Sequence, residues 1–433
     1  MRILGIESSC DETAIAIVED GHKILSNIVV SQIDIFAAYG GVIPEIAARS
    51  HLEAIMPVLH QAFKEAGFTK ETTLTIPTIN NSSSPTSISV ESKDSSSSTS
   101  TSIESKVSNS PTSASIKPKD SSSPTSASIK SKVSAPTVDD WSKIDAIAVT
   151  HTPGLLGSLL VGTLTARTLA ILHQKPLYAV HHLKSHIYAN WLDHQQTAQE
   201  TQTSTPEFPL VSLIISGGHT QIVTMPTHQK FEIIGTTRDD AVGECFDKVA
   251  KILGLPYPGG PSIAKAAENG NNKRYSFPHP MAGSLDFSFS GLKTAVLREV
   301  QKAVNQPISY PSSKLAPLLS DQQKADFAAS FEQTATDILI EKIKLALKQN
   351  PETKSLVVAG GVSANQRLRH DLKLFIEQQN SKLNNKIKLF FPEPRFSGDN
   401  GAMVASAAYY EILSGFPETD PYTLNIMPRS KIK

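Results

Sequence analysis

Two histidines four residues apart, His182 and His186, sit in the run His181-His182-Leu183-Lys184-Ser185-His186. On a turn of helix that spacing puts both imidazoles on one face, where they can share a metal ion. Leu183 rather than a glutamate follows His182, so the hydrolytic HExxH pattern is not met. The plainer alternative is a pair of solvated or helix-capping histidines. A third ligand would decide between them. Asp399, in Ser397-Gly398-Asp399-Asn400-Gly401-Ala402, lies at a strand-to-helix turn far along the chain. Its own plain alternative is the N-cap of the last helix. Two imidazoles and one carboxylate favour iron or zinc over magnesium, and three protein ligands leave the open position a catalytic ion needs.

Three short turns rich in Gly, Ser and Thr form a second group. They are Glu7 to Thr13, Ser216 to Thr220, and Ala359 to Asn365. Successive backbone N–H groups exposed by such turns suit a phosphate, and glycines allow a ring or phosphate to approach closely. Each turn alone is ordinary turn chemistry. Found at corresponding strand ends, the three point to a bound nucleotide. Neither a Walker A motif nor a GxGxxG fingerprint occurs, which disfavours P-loop and dinucleotide sites.

The elements that must carry these residues repeat. Strand-like runs at Arg2 to Glu7, Thr13 to Glu19 and Lys23 to Val30 precede a helix at Glu45 to Ala66. A strand at Ile144 to Thr150, a helix at Leu155 to His173, a strand at Leu177 to His181 and a short helix follow. The order restarts with strands at Leu210 to Ser216, Thr220 to Met225 and Phe231 to Gly235, then a long helical region. A strand at Ser355 to Ala359, a helix from Asn365, a strand at Ile387 to Phe391 and a helix from Asn400 finish it. Three antiparallel strands followed by strand–helix alternation, used twice, predict two α/β lobes facing a cleft, with ligands at the strand ends.

Length and composition agree with that plan. The chain has 433 residues, 41 Lys plus Arg, 41 Asp plus Glu, and only Cys10 and Cys245 as cysteines. Zero formal net charge excludes coating nucleic acid or membrane by bulk charge, and two cysteines cannot build a disulfide framework. Glu7, Asp11 and Glu12 interrupt any signal-peptide core, and Gly157, Gly162 and Arg167 interrupt the apolar stretch Leu155 to Leu172. The expectation is a soluble cytoplasmic protein with no membrane contact. Residues 82–133 repeat with a period of 13, the copies starting at Ser82, Ser95, Ser108 and Ser121. So few apolar residues per copy predict a disordered insertion. The expected domains are 1–79 and 139–205 for the first lobe, 80–138 for the insertion, and 206–433 for the second lobe.

Eight runs occur in the order known from one family: GIESSCDET, YGGVIPEIAARSH, VHHLKSHIYA, ISGGHTQ, GECFDKVAKILGLPYPGGP, FSFSGLKTA, AGGVSANQRLR and GDNGAMVA. The chain thereby resembles the tRNA N6-adenosine threonylcarbamoyltransferases, across nearly all of it except the Ser/Thr repeats. The resemblance implies a duplicated actin/hexokinase/Hsp70-like fold. It also implies transfer of threonylcarbamoyl from threonylcarbamoyl-adenylate to N6 of adenosine 37, in tRNAs reading codons that begin with A, with release of AMP. His182, His186 and Asp399 would hold one divalent metal per subunit, iron first and zinc second. Ile214, Ile215, Ser216, Gly217 and Gly218 would line the phosphate side, Asp247 and Gly260 would meet the ribose, and Asn365 the nucleotide. The implied partners are tRNA, a small ATPase, and an inactive paralogue of the same fold.

The exocyclic amine of adenine is a poor nucleophile, so positioning and a proton acceptor both matter. Asp11 and Glu12 are the nearest candidates for that acceptor, with a turn-capping acid pair as the alternative. The sequence departs from the family pattern twice. Thr152 stands before Pro153-Gly154 where the family usually has Gly, and Ala264 replaces an acid that many members carry four residues after Gly260. Both departures bear on nucleotide affinity. An ATP-dependent small-molecule kinase of the same fold would account for the glycine turns but not for His182, His186 and Asp399. A non-catalytic scaffold subunit should lack those three ligands.

Overall fold

The computed structural model describes residues 1–37, 39–71, 137–192, 205–382 and 386–429. The repeats at 82–133, and the disorder expected of them, lie outside the described residues. The described residues of 1–70 and 139–433 form one compact unit. Both lobes belong to it.

The first half opens with β1 (Arg2–Glu7), β2 (Glu12–Glu19) and β3 (Lys23–Ser31), an antiparallel meander in which Ile3 faces Val18 and Ala16 faces Asn27. Helices α1 (Ile33–Ala37) and α2 (Pro44–Glu65) follow. The chain leaves through β4 (Thr69–Glu71) and returns through β5 (Thr137–Asp139), with Lys70 and Asp140 paired at 2.9 Å. Then come β6 (Ala146–Thr152), α3 (Leu156–His173), β7 (Leu177–His181) and α4 (His182–Tyr188). The sheet order is β3-β2-β1-β6-β7, with β6 and β7 parallel to β1. Strand β6 starts and ends two residues later than its apolar pattern suggests. Residues Trp141–Lys143 form a single 3₁₀ turn before it, and Thr152 continues the ladder opposite His181.

The second half repeats the plan with β8 (Leu210–Ile215), β9 (Thr220–Thr227) and β10 (Lys230–Thr236). The long helical region resolves into α5 (Val242–Leu253), α6 (Gly259–Ala267), α7 (Ser290–Ala303) and α8 (Asp321–Gln349). Gly254, in the left-handed region at φ +70°, closes α5, and Pro258 precedes α6. Next are β11 (Ser355–Ala359), α9 (Gln366–Asn380), β12 (Lys388–Phe390), α10 (Pro394–Ser397) and α11 (Gly401–Leu413). The order β10-β9-β8-β11-β12 duplicates the first sheet strand for strand. This is the two-lobed duplicated α/β fold that the sequence predicts.

Alternation along the strands divides the interior into three layers. Leu4, Ile6, Ile15 and Ile17 pack outward with α2 and α3, while Val211, Leu213, Leu356 and Val358 pack with α5, α8 and α9 on the far side. Between the sheets lies a shared core. There Ile3, Ala16 and Val180 of one sheet meet Ile214, Val223 and Val357 of the other through Leu183 and Ile187 of α4 and Ala402 to Ala408 of α11. Apolar on nearly every face, α11 is a helix that must be buried all round. It lies so close to β1 that a Cβ at Gly5 would meet the Gly401 carbonyl oxygen at 2.2 Å. Lys184 of α4 reaches Glu411 of α11 at 3.6 Å and lies 4.3 Å from the Phe231 ring centroid. Helix α3 is long and apolar enough by length and composition to cross a membrane. In this fold its Leu159, Thr163, Ala166 and Ala170 are buried as an ordinary core face.

Candidate metal centre and nucleotide cleft

Strand β7 ends at His181 and α4 begins one residue later. His181 is the residue that caps the helix, its Nδ1 accepting from the Leu183 N–H at 3.2 Å. His182 and His186 are therefore free of capping duty and stand one turn apart, their ring centroids 4.6 Å from each other. The same correction applies to Asp399. Asn400 caps α11, accepting from the Met403 N–H at 2.9 Å, so Asp399 is not the N-cap. Its Oδ1 lies 3.1 Å from His186 Nε2 and 3.6 Å from His182 Nε2. One ligand atom from each of the three residues falls within 4.8 Å of the others. The structure thus brings together residues more than 200 positions apart in sequence.

The donor set fits a metal ion. Both ring nitrogens of His186 are buried and make no hydrogen bond, and its Nε2 approaches Asp399 without hydrogen-bond alignment. Orphaned imidazole nitrogens of this kind are costly unless something binds them. Burial alone would lower the His182 pKa, but the charges of Asp399 and Glu7 raise it to about 9. Burial likewise works against an ionised Asp399, yet His182 and His186 pull it down to about 2. The site concentrates negative charge on a cation, and an imidazolium fills that role when no ion is bound.

Other groups surround this centre. Glu7, fully buried at the end of β1, accepts from His182 Nδ1 at 3.1 Å. His219, in the turn after β8, has its pKa pushed down to about 4 by burial and by His182 and His186, so it faces the centre as a neutral imidazole. Asp11 and Glu12 are adjacent carboxyl groups, and Ser31 Oγ donates to Glu12 at 3.3 Å. Burial, then the charges of Asp399 and Asp11, hold Glu12 well above the usual carboxylate range. Their turn is clamped by His51 of α2, whose Nε2–H donates to the Cys10 carbonyl at 3.1 Å while Nδ1 accepts from Thr13 Oγ1 at 2.7 Å. That tautomer follows from the partners, because a carbonyl can only accept. The Gln32 N–H holds the Asp11 carbonyl at 3.0 Å from the other side. Glu7, His219 and His51 carry no spacing signal of their own. Their presence inside the GIESSCDET, ISGGHTQ and YGGVIPEIAARSH runs is the only sequence hint.

The second-lobe turns come together around the ends of β8 and β11 and the starts of α5 and α6. Ile214 and Ile215 are fully buried, one toward the shared core and one toward the second-lobe core, which leaves only their backbone to meet a ligand. Gly217 and Gly218 are exposed with open space beside them. A Cβ at Gly243, in the first turn of α5, would meet the Ser216 carbonyl oxygen at 2.6 Å, and one at Gly360 would meet the Ile215 carbonyl oxygen at 2.4 Å. Gly360 also needs its positive φ of +88° to turn out of β11. Asp247 Oδ1 accepts from the Gly259 N–H at 2.7 Å, at the start of α6, and burial raises its pKa. Neighbouring Gly260 is open. Asn365 caps α9, accepting from the Leu368 N–H at 2.9 Å, and its amide donates to Glu332 at 2.7 Å. Burial, then the charges of Asp247, Asp11 and Glu12, push the Tyr257 phenol up, so it lies near acids of both lobes. Sequence reasoning had not marked it.

Duplicated sheets with a pair of helices packed between them define the actin/hexokinase/Hsp70-like class, here with a His-His-Asp cluster that could hold a metal ion. The family description tRNA N6-adenosine threonylcarbamoyltransferase (TsaD) matches residues 23–77 and 136–406. Relatives named tRNA N6-adenosine threonylcarbamoyltransferase include that of Symbiobacterium thermophilum, 40% identical over 94% of this chain and 91% of its own. Those of Thermomicrobium roseum (40%, 95% and 92%) and Caldicellulosiruptor bescii (37%, 99% and 97%) are similar. The chain belongs to the tRNA N6-adenosine threonylcarbamoyltransferase family. Among solved structures, component A of (R)-2-hydroxyglutaryl-CoA dehydratase from Acidaminococcus fermentans covers 96% of this chain and 99% of its own, at 12% identity and a TM-score of 0.42. At that distance the likeness says nothing about chemistry.

Proposed function

We propose that this chain transfers the threonylcarbamoyl group from threonylcarbamoyl-adenylate to N6 of adenosine 37 in tRNAs reading codons that begin with A, releasing AMP in the cytoplasm. The observation that carries this reading is the meeting of His182, His186 and Asp399 across the lobes, in a chain of this family. In the reaction the N6 amine attacks the carbamoyl carbon, a C–N bond forms, the C–O bond to phosphate breaks, and the amine proton passes to a base. Backbone N–H groups of the open Gly217–Gly218 turn suit the leaving phosphate. Asp247 keeps Oδ2 for a ribose hydroxyl while Oδ1 holds Gly259. Asp11 and Glu12 are the candidate bases, their turn held by His51 and Gln32. His182, His186 and Asp399 would hold an iron or zinc ion, which when bound would supply Lewis acidity and a positive charge favouring ionised Glu12.

Positioning is the remaining contribution, and it suits a poor nucleophile. A protein partner is supported by the exposed apolar face where α2 and α3 pack together: Leu52 and Met56 on one helix, Leu156, Leu160 and Leu164 on the other. We assign that face to the inactive paralogue, with a small ATPase as the further partner. The test is mass analysis of tRNA nucleosides after depletion of the protein. Loss of threonylcarbamoyladenosine is expected, and an unchanged level would sink the assignment. Elemental analysis of His182→Ala, His186→Ala and Asp399→Ala tests the site. Each should lose metal and transfer while circular dichroism stays near the parent, and full occupancy in any variant removes that residue from the site.

A further inference from the structure

We propose that Glu7 is a positioning residue for the metal centre, fixing the tautomer and ring angle of His182 so that Nε2 is presented to the ion. The inference rests on reading His182, His186 and Asp399 as the ligands. Glu7 is 0% exposed, at the last position of a strand whose other inward residues are apolar. A carboxylate in such a place must be satisfied completely. Its Oε1 accepts from the Ser9 N–H at 2.7 Å, and its Oε2 from Thr150 Oγ1 at 2.5 Å and from His182 Nδ1 at 3.1 Å.

The direction of these bonds is fixed by chemistry. A backbone N–H can only donate, and an ionised carboxylate can only accept. The proton between Glu7 and His182 therefore sits on Nδ1, and the lone pair that can bind a metal is on Nε2, the nitrogen 3.6 Å from Asp399 Oδ1. Ser9 Oγ, 3.2 Å from the same Nδ1, is close enough to share that proton. His186 has no equivalent, since its Nδ1 is buried without a hydrogen-bond partner. The two imidazoles are thus unequal. One is locked from behind by a three-bond carboxylate on β1, and the other has no hydrogen bond at its Nδ1. Glu7 also adds negative charge in a dry interior beside His182, and ligand-orienting carboxylates of this kind usually tighten metal sites by about 10–100-fold.

Competition against a chromophoric chelator, with the metal-stripped full chain and Zn²⁺, measures the effect, and Fe²⁺ without oxygen repeats it. Glu7→Gln places an amide NH₂ among three donors and should weaken binding by about 10–100-fold, with unchanged stoichiometry. Thr150→Val removes one of the three bonds and should give a smaller loss in the same direction. The Glu7→Gln loss should persist in a His186→Ala background, because it acts through His182. Unfolding midpoints of the metal-free proteins are recorded alongside. A Glu7→Gln chain that binds Zn²⁺ within about twofold of the parent, whatever its midpoint, overturns the proposal. If Glu7→Gln does not fold, Thr150→Val decides by the same criterion. A parent that binds no ion refutes the ligand reading itself, whereas a binding parent with an unaffected variant refutes only the role of Glu7.

Discussion

Metal-free protein should lose about 3 kcal/mol of stability between pH 6.5 and 9 through one side chain, His182. Its side chain is 9% exposed, so burial disfavours the charged form. Two carboxylates oppose that: Glu7 Oε2 lies 3.1 Å from Nδ1, and Asp399 Oδ1 lies 3.6 Å from Nε2. At about 4 Å and an effective dielectric of about 20, each unit-charge attraction is about 4 kcal/mol, enough together to outweigh desolvation. The folded pKa is raised to about 9, against about 6.5 in an unfolded chain. Because the folded value is the higher one, the native state binds the proton more tightly. The stabilisation is complete below about pH 6.5 and gone above about pH 9. Asp399, depressed to about 2, is the same interaction seen from the other partner and is counted once. Urea titrations of chelator-treated parent and His182→Ala across this window isolate the term. The parent's advantage should shrink by about 3 kcal/mol as pH rises. Metal affinity should move oppositely, rising about tenfold per pH unit up to about pH 9, because the ion displaces that proton. A parent-minus-variant difference that stays flat from pH 6.5 to 9, or a pH-independent metal affinity over the same range, refutes the reasoning.

Three further outcomes follow from the geometry. Gly360→Ala forces a side chain to φ +88° with its Cβ 2.4 Å from the Ile215 carbonyl oxygen. It should cost about 1–3 kcal/mol in denaturant unfolding, whereas Gly361→Ala, with nothing within 4 Å of its Cβ, should stay within about 0.5 kcal/mol. Equal losses at the two positions would contradict this. Asp247→Asn keeps an acceptor for the Gly259 N–H, so it should retain stability yet weaken adenylate binding by about one to two decades. Isothermal titration reads the affinity, and parent-like binding would rule out a ribose contact. Deleting residues 82–133 should leave folding and transfer within a few-fold, since loop closure changes by only about 0.6 kcal/mol per doubling of length. The Lys70–Asp140 ion pair already brings the flanking chain together at 2.9 Å. An insoluble or inactive deletion protein would refute the prediction.

Much of the fold was legible because its signals are local. Arg2 to Glu7, Leu177 to His181 and Ser355 to Ala359 read as strands from short apolar runs bounded by turns, and each forms over those residues. The division of the helical region after β10 was not legible. Apolar spacing continues through it, and the left-handed Gly254 that ends α5 is a backbone decision made where the helix meets Ala316. In the site, the four-residue spacing of His182 and His186 carried their common face, but not whether either capped the helix. His181 took that role, as Asn400 did for α11, because the cap is the residue with extended backbone just before the first turn.

Sequence by itself determined most of the strands, the repetition of element order in two halves, and the pairing of two imidazoles on α4. Tertiary structure alone decided what those imidazoles face. Helix α11 ends the second half in sequence but packs on β1, and the chain after it stays with the first lobe. The Thr419 N–H donates to the Leu177 carbonyl, the Met427 N–H donates to the His151 carbonyl, and Arg167 holds the Pro421 and Tyr422 carbonyls. That path draws the Gly398–Asn400 turn over α4 and sets Asp399 against both histidines. Glu7 shows the limit from the other side. A glutamate closing an apolar strand reads the same whether it meets water or an imidazole, and only the docking of α4 behind β1 made it a partner of His182. Local pattern fixes which backbone conformation is cheapest. Burial of apolar faces far apart in the chain fixes which polar groups are left facing one another.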